Sequence, residues 1–322
     1  MTMKTKILIC FGALLGVAAV TAQLELPLAK VTVRVLDEAE QPLAGAHVSL
    51  GFRDRLTGKD VFVRGQTDAA GRFSGEGGCD PSGVGSEITM DGYYQGWAPI
   101  PKFYEVDALN HWKPSNETYT TTLRHVGKPV PLYAKSAWIE IPAVGQPCGY
   151  DLEKGDWVAP QGKGAVADLV FTLERRYDDR QDFDVKAELS FSRPLDGIQS
   201  VDLPVIGKNS LFKWSREAPE DGYFPTLKMH FARDPKAGFT QSASDGQAYF
   251  FRVRTVEKDG RIVGALYGKI RGGLQLAPSN SKTSKVKLTY YFNSTSLDRN
   301  LEWDPKRNLF EGLNYEQTPR EP

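Results

Sequence analysis

Val31 to Leu50 reads VTVRVLDEAEQPLAGAHVSL, and both ends of this stretch alternate apolar with polar side chains. Val31, Val33 and Val35 fall on one side of an extended chain while Thr32 and Arg34 fall on the other, the period of two of a half-buried β-strand. Ala46, Val48 and Leu50 repeat that period beyond Gln41-Pro42-Leu43-Ala44-Gly45, where Pro and Gly mark a turn. Val61-Phe62-Val63 adds a further β-rich run. Asp68-Ala69-Ala70-Gly71 then places Asp first and Gly fourth in a type I turn, before Arg72-Phe73 extends again. No segment here keeps the period of a helix.

The order VTVRVLD, QPLAGAHVSL, TDAAGRF resembles the carboxypeptidase regulatory-like domain, a small transthyretin-like sandwich, over about residues 29–128. The resemblance implies a fold and an accessory or linking role, and brings no active site with it. The enzymes that carry such domains leave no trace. None of His47, His111, His125 and His230 is followed three residues later by Glu, and HExxH does not occur, so a zinc peptidase lacks its ligands. The remaining length is too short for the barrel of an outer-membrane receptor. The Tyr-Arg-Gly-Ser ending of the transthyretin-like hydrolases is missing.

Outward from this domain, the N-terminus has the parts of a signal peptide: basic Lys4 and Lys6, an apolar run from Ile7 to Val20, and small residues at Val20-Thr21-Ala22. The run is shorter than the ~20 residues a membrane-spanning helix needs, and no later segment is long and apolar enough. Beyond Pro129, strand-like runs recur at 137–141, 167–173, 183–191, 223–231, 247–256, 261–270 and 285–292. The clearest is the hairpin YFFRVRTVEKDGRIVGALYGKI, whose Asp259-Gly260 suits a type I′ turn. The chain is therefore expected to be all-β, with two consecutive antiparallel β-sandwich-like domains after a cleaved signal peptide. The divisions are a leader at 1–22, a first domain at 23–128, and at 129–322 a second antiparallel domain with an irregular tail.

Forty acidic and forty basic side chains cancel, so no global field favours nucleic acid. Export favours oxidation, which makes a disulfide between Cys79 and Cys148 one expectation and two buried free thiols the other. GDWVAPQGKG lacks both the first Gly and the Ser or Thr of a phosphate loop, and RRYDDRQDFD lacks the spacing of a calcium loop. No GxSxG elbow is present. Neither a catalytic residue, nor a metal ligand, nor a cofactor is assigned. Aromatics crowd DGYYQGWAPIPKFYEVDALNHW, and Tyr93, Tyr94, Trp97 and Trp112 form the candidate ligand-binding set, against the alternative that these rings fill a core.

The expected function is binding or scaffolding by an exported, periplasmic or extracellular protein, with a glycan or a cell-envelope protein as partner. Two alternatives stand beside it. One is a secreted polysaccharide hydrolase using carboxylates of the second domain, such as the pairs Glu302 with Asp304 or Glu220 with Asp221; the other is a structural subunit of an envelope assembly.

Overall fold

The computed structural model describes residues 26–55, 57–204, 208–244, 246–278 and 282–322, and the expected leader lies outside them. Strands and connecting loops make up the described residues, without a helix. The first unit contains β1 (Leu28–Leu36), β2 (His47–Phe52), β3 (Val61–Gln66), β4 (Arg72–Gly78), β5 (Val84–Thr89), β6 (Glu105–Val106), β7 (Trp112–Lys113) and β8 (Glu117–Thr122). Sheet β4-β1-β8 packs on sheet β3-β2-β5. Val31, Val33 and Val35 are fully buried between them with Val48, Leu50 and Phe52, each worth ~1.5–3 kcal/mol on burial. The pairing is not purely antiparallel, because β1 runs parallel to β8, which it meets after the long connection 90–116 carries the chain across.

Local chemistry holds the predicted turn. The Gly71 N–H donates to the Asp68 carbonyl at 2.9 Å, and Asp68 Oδ1 accepts from Ala70 N and Arg72 N. Gly71 has φ +71°, and a Cβ there would lie 2.5 Å from the Val35 carbonyl oxygen.

The second unit contains β9 (Val130–Glu140), β10 (Pro147–Asp151), β11 (Asp156–Trp157), β12 (Leu169–Tyr177), β13 (Phe183–Ser190), β14 (Gly197–Asp202), β15 (Thr226–Asp234), β16 (Gly238–Gln241), β17 (Gln247–Lys258), β18 (Arg261–Ile270), β19 (Leu276–Ala277), β20 (Lys285–Asn293) and β21 (Trp303–Asn308). One sheet has the order β11-β10-β12-β13-β15-β16 and the other β14-β17-β18-β20-β9-β21, with β19 beside β20. The β17–β18 hairpin turns at Asp259 (φ 52°) and Gly260 (φ 73°), both in the left-handed region as the type I′ expectation requires.

β17 is buried on both faces. Tyr249, Phe251 and Val253 meet Phe171, Leu173 and Val185 of the opposite sheet, while Ala248 and Phe250 pack against Phe212 and Trp214 on the outer side. The double cover explains why its sequence, AYFFRV, is nearly continuous in bulky side chains rather than alternating. The C-terminal segment lies along β9: Trp303 pairs in parallel with Val130, the Asn308 side chain bonds both N and O of Ala134, and Ser136 N donates to Gln317 O.

Candidate functional site

A polar lock joins the two units. Arg124 is 1% exposed; its Nε donates to Glu38 Oε1 at 2.9 Å, its Nη1 donates to the carbonyls of Phe212 and Trp214, and its guanidinium lies 4.5 Å from the Phe212 ring centre. Arg216 grips Glu38 with two parallel bonds of 3.0 Å and also reaches His125 O. Glu302, 1% exposed, accepts from Gly127 N (2.7 Å), Lys128 N (3.1 Å) and Tyr94 OH (2.8 Å). Burial acts to raise the Glu38 carboxyl, but the bonds from Arg216 and Arg124 win and hold it at about 2. Loop-to-loop backbone bonds, Trp97 N to Asn209 O and Leu211 N to Gln95 O, complete the joint.

The candidate aromatics divide among different environments. Trp112 lies in the first core, stacked on Phe103 at 5.8 Å with Nε1 donating to Cys79 O. Tyr94 stacks on Phe212 at 5.0 Å inside the lock. Tyr93 is half-buried and meets His125 edge-on, and Trp97 is half-buried beneath the Lys213 ammonium. The four rings are not assembled into one solvent-facing surface. Cys79 and Cys148 are free thiols in two different cores, which corrects the disulfide expectation. Burial, followed by the neighbouring Asp80 charge, pushes the Cys79 thiol up to about 12.

Several carboxylates of the second unit are committed to internal bonds. Arg254 stands at a bulge in β17 with φ 55°, and donates to both oxygens of Asp168 (2.8 and 2.9 Å) and to Glu153 at 2.7 Å. Burial raises Asp168 despite that pairing. Asp151 is lowered in spite of burial, because Ala165, Lys154, Val166 and Glu153 all donate backbone N–H groups to it. Glu302 is sealed in the lock, Asp304 is bound by Arg307, and Glu220 pairs with Arg299 at 3.1 Å. Asp178 and Asp182 share Arg176. No group of three or more metal-ligating side chains is found among the described residues, and no helix there is long and apolar enough to cross a membrane.

Open depressions remain on several sheet faces among the described residues, one of them, of about 510 Å³, on β3-β2-β5 beside His47, Arg64, Gln66 and Glu87. The outer face of the six-stranded sheet has one of about 490 Å³ lined by Glu174, Lys186, Glu188, Lys228 and His230. Glu174 faces Lys186 and Glu188 faces Lys228 across the ladder, so its charges cancel in place. Another, about 690 Å³, runs between the outer face of β9 and β20 and the C-terminal segment. Its floor bears Lys287 and the hydroxyl pair Ser136 and Thr289, 2.7 Å apart, and its far wall bears Tyr315 and Arg320. Glu321 belongs to that wall but is already bound by Arg271 at 2.6 Å. Trp138 stands opposite Lys287 in the strand register, 46% exposed.

Trp138 had a signal in the sequence. Ser136, Trp138 and Glu140 alternate with Ala137, Ile139 and Ile141, so the indole falls on the polar side of its strand. Tyr315 and Arg320, in a segment without periodicity, had none.

No protein-family model matches the chain, and none of the curated proteins does. Among solved structures, the 3-chlorocatechol 1,2-dioxygenase of Rhodococcus opacus is similar at 16% identity and a TM-score of 0.24, over 32% of this chain and 62% of that one. A DUF3823 family protein from Parabacteroides merdae is similar at 11% identity and a TM-score of 0.21, over 82% of this chain and 99% of that one. Likeness at this level has no bearing on activity or ligand.

Proposed function

We propose that this chain is an exported, non-catalytic binding and scaffolding protein of the cell envelope. Its first unit acts as a carboxypeptidase regulatory-like accessory domain, and the groove beside the C-terminal segment is its ligand-facing surface. One contrast supports the reading. Glu38, Asp168 and Glu302 are spent on internal arginines and backbone N–H groups, whereas Arg320 and Tyr315 of the groove and Trp138 beside it are turned to solvent. A hydrolase needs two carboxylates free to face a scissile bond; a binding module needs a rigid frame and exposed recognition groups, and the Glu38–Arg124–Arg216 lock makes one frame of the two units.

The test is to incubate the purified mature chain with a panel of acidic and neutral polysaccharides, following retardation in polymer-containing native gels and the release of reducing ends. Retardation without release is the expected result. Turnover that disappears in Glu153→Gln would overturn the reading in favour of a hydrolase.

A further inference from the structure

We infer that the groove between the outer face of β9 and β20 and the C-terminal segment takes an acidic polysaccharide, with Lys287 and Arg320 pairing with uronate carboxylates and Trp138 and Tyr315 stacking on sugar faces. The inference rests on the binding reading above and names the ligand class for the same surface.

Charge is the first argument. The groove is lined by the cations Arg271, Lys287 and Arg320 and the acids Glu316 and Glu321. Arg271 and Glu321 cancel at 2.6 Å, and Lys213 stands 3.8 Å from the same carboxylate. Lys287 and Arg320 make ring contacts rather than ion pairs among the described residues. The surplus is therefore positive, in contrast to the self-neutralised depression on the six-stranded sheet. A cation without a carboxylate partner in an open groove keeps its capacity for an external anion, and the pairing strengthens as a bound ligand displaces water.

The second argument is the placing of the rings. Trp138 is 46% and Tyr315 74% exposed. A singly exposed apolar residue needs no explanation, but here each ring is coupled to a cation. The Lys287 ammonium lies 6.0 Å from the Trp138 ring centre, and the Arg320 guanidinium lies 3.9 Å from that of Tyr315. The Arg320–Tyr315 couple stands on the far wall, and Lys287 on the floor carries its couple to Trp138 just beyond the lining. Each cation lies over one face of its ring and leaves the other to cover the C–H face of a pyranose, and the long Lys or Arg side chain can swing to the carboxylate of the same sugar.

The third argument is the floor. Trp138 faces Lys287, Ser136 faces Thr289, and Ala134 faces Tyr291 on successive rungs of the same strand face. Ala134 and Tyr291 are buried against Trp303 and close one end of the row, so the two open rungs, two residues apart, span ~7 Å. Ring and cation occupy its first rung, and the hydroxyl pair at the centre can donate to or accept from sugar hydroxyls. An open, mixed polar and aromatic surface suits a polymer crossing it rather than an enclosed small molecule.

The experiment uses the full mature chain in native gels containing polygalacturonate or its fully methyl-esterified form, the same backbone without charge. Wild type should be retarded by the acid polymer and little by the ester, with retardation declining as salt is raised. Lys287→Ala combined with Arg320→Ala should weaken binding of the acid polymer at least tenfold, and Trp138→Ala or Tyr315→Ala severalfold, each with an unchanged melting temperature. Lys228→Ala, in the depression on the six-stranded sheet, should bind as wild type does. Equal retardation by acid and ester would overturn the acidic assignment while leaving the binding reading standing. Loss of binding in Lys228→Ala equal to that in the groove variants, or retention of binding in the Lys287/Arg320 double variant, would remove the groove as the site. Release of reducing ends by wild type would overturn the non-catalytic reading instead.

Discussion

Replacing Lys269 by methionine should make the protein more stable. Lys269 is on β18, fully buried, and its ammonium nitrogen has no hydrogen-bond partner. The rings of Tyr291, Trp214 and Phe212 surround it, with centres at 4.7, 5.0 and 5.3 Å. Burial drives its pKa well below the ordinary lysine value; attraction from Glu302 opposes the shift and repulsion from Arg271 and Arg124 adds to it.

An unsatisfied buried polar group costs ~1–3 kcal/mol, and a cation over aromatic faces recovers only part of that. Methionine has a similar unbranched length and keeps the ring contacts, so the packing cost of the exchange is small. The expected gain at pH 7 is therefore at least ~1–3 kcal/mol, or roughly 2–6 °C or more in melting temperature for a chain of this size. The gain must also depend on pH. Because the folded-state pKa lies below the unfolded one, the unfolded chain holds more protons between the two values, and wild-type stability rises with pH there by about 1.4 kcal/mol per unit. The charge-dependent part of the penalty is complete below the folded pKa and gone above ~10.4, leaving only the cost of an unpartnered neutral amine, so the advantage of Lys269→Met should shrink toward that limit. Urea denaturation of both proteins from pH 6 to pH 10 measures the gap. A variant less stable than wild type at pH 7, or a gap that does not close as the pH rises, would refute the reasoning.

The lock should weaken in acid: Glu38 is held at about 2 when folded against 4.5 in its ordinary state, so its contribution is complete above pH 4.5 and lost as the pH falls toward 2. It amounts to about 2–3 kcal/mol after allowance for partial exposure, and the acid unfolding curve of Glu38→Gln should lack this component. Gly71→Ala should cost ~1–3 kcal/mol in chemical denaturation, since its Cβ meets the Val35 carbonyl at 2.5 Å in a left-handed backbone. Trp112→Ala should lose ~3–5 kcal/mol, as expected of a core ring, without a separate loss of ligand affinity among folded molecules. Cys79 and Cys148 should both react with a thiol reagent under denaturing, non-reducing conditions and resist it in the native protein; protection that persists after denaturation would point to a bond.

The strands and turns that could be read in advance are carried by nearest neighbours along the chain. The alternation Val31, Val33, Val35 needs only the two-residue pleat to place three side chains on one face, and Asp259-Gly260 needs only its own backbone preference to close a hairpin. The all-β class was legible on those grounds. Tertiary structure decided which charges and rings are inside. Arg124, Lys269 and Glu302 sit in local patterns no different from those of surface residues, and they are buried because the second unit's outer sheet face is covered by segments distant in sequence. The same physics moved the aromatic set: Trp112 belongs to a core and Tyr94 to the lock, because the partners that enclose them, Phe103 and Cys79 for one and Phe212 and Glu302 for the other, are chosen by folding. The groove joins Ser136 to Lys287, Tyr315 and Arg320, residues up to ~180 positions apart, and sets Trp138 beside them, through strand register and the course of the C-terminal segment. A local pattern records which face of a strand is apolar; which distant strand lies beside it is set by burial summed over the whole chain.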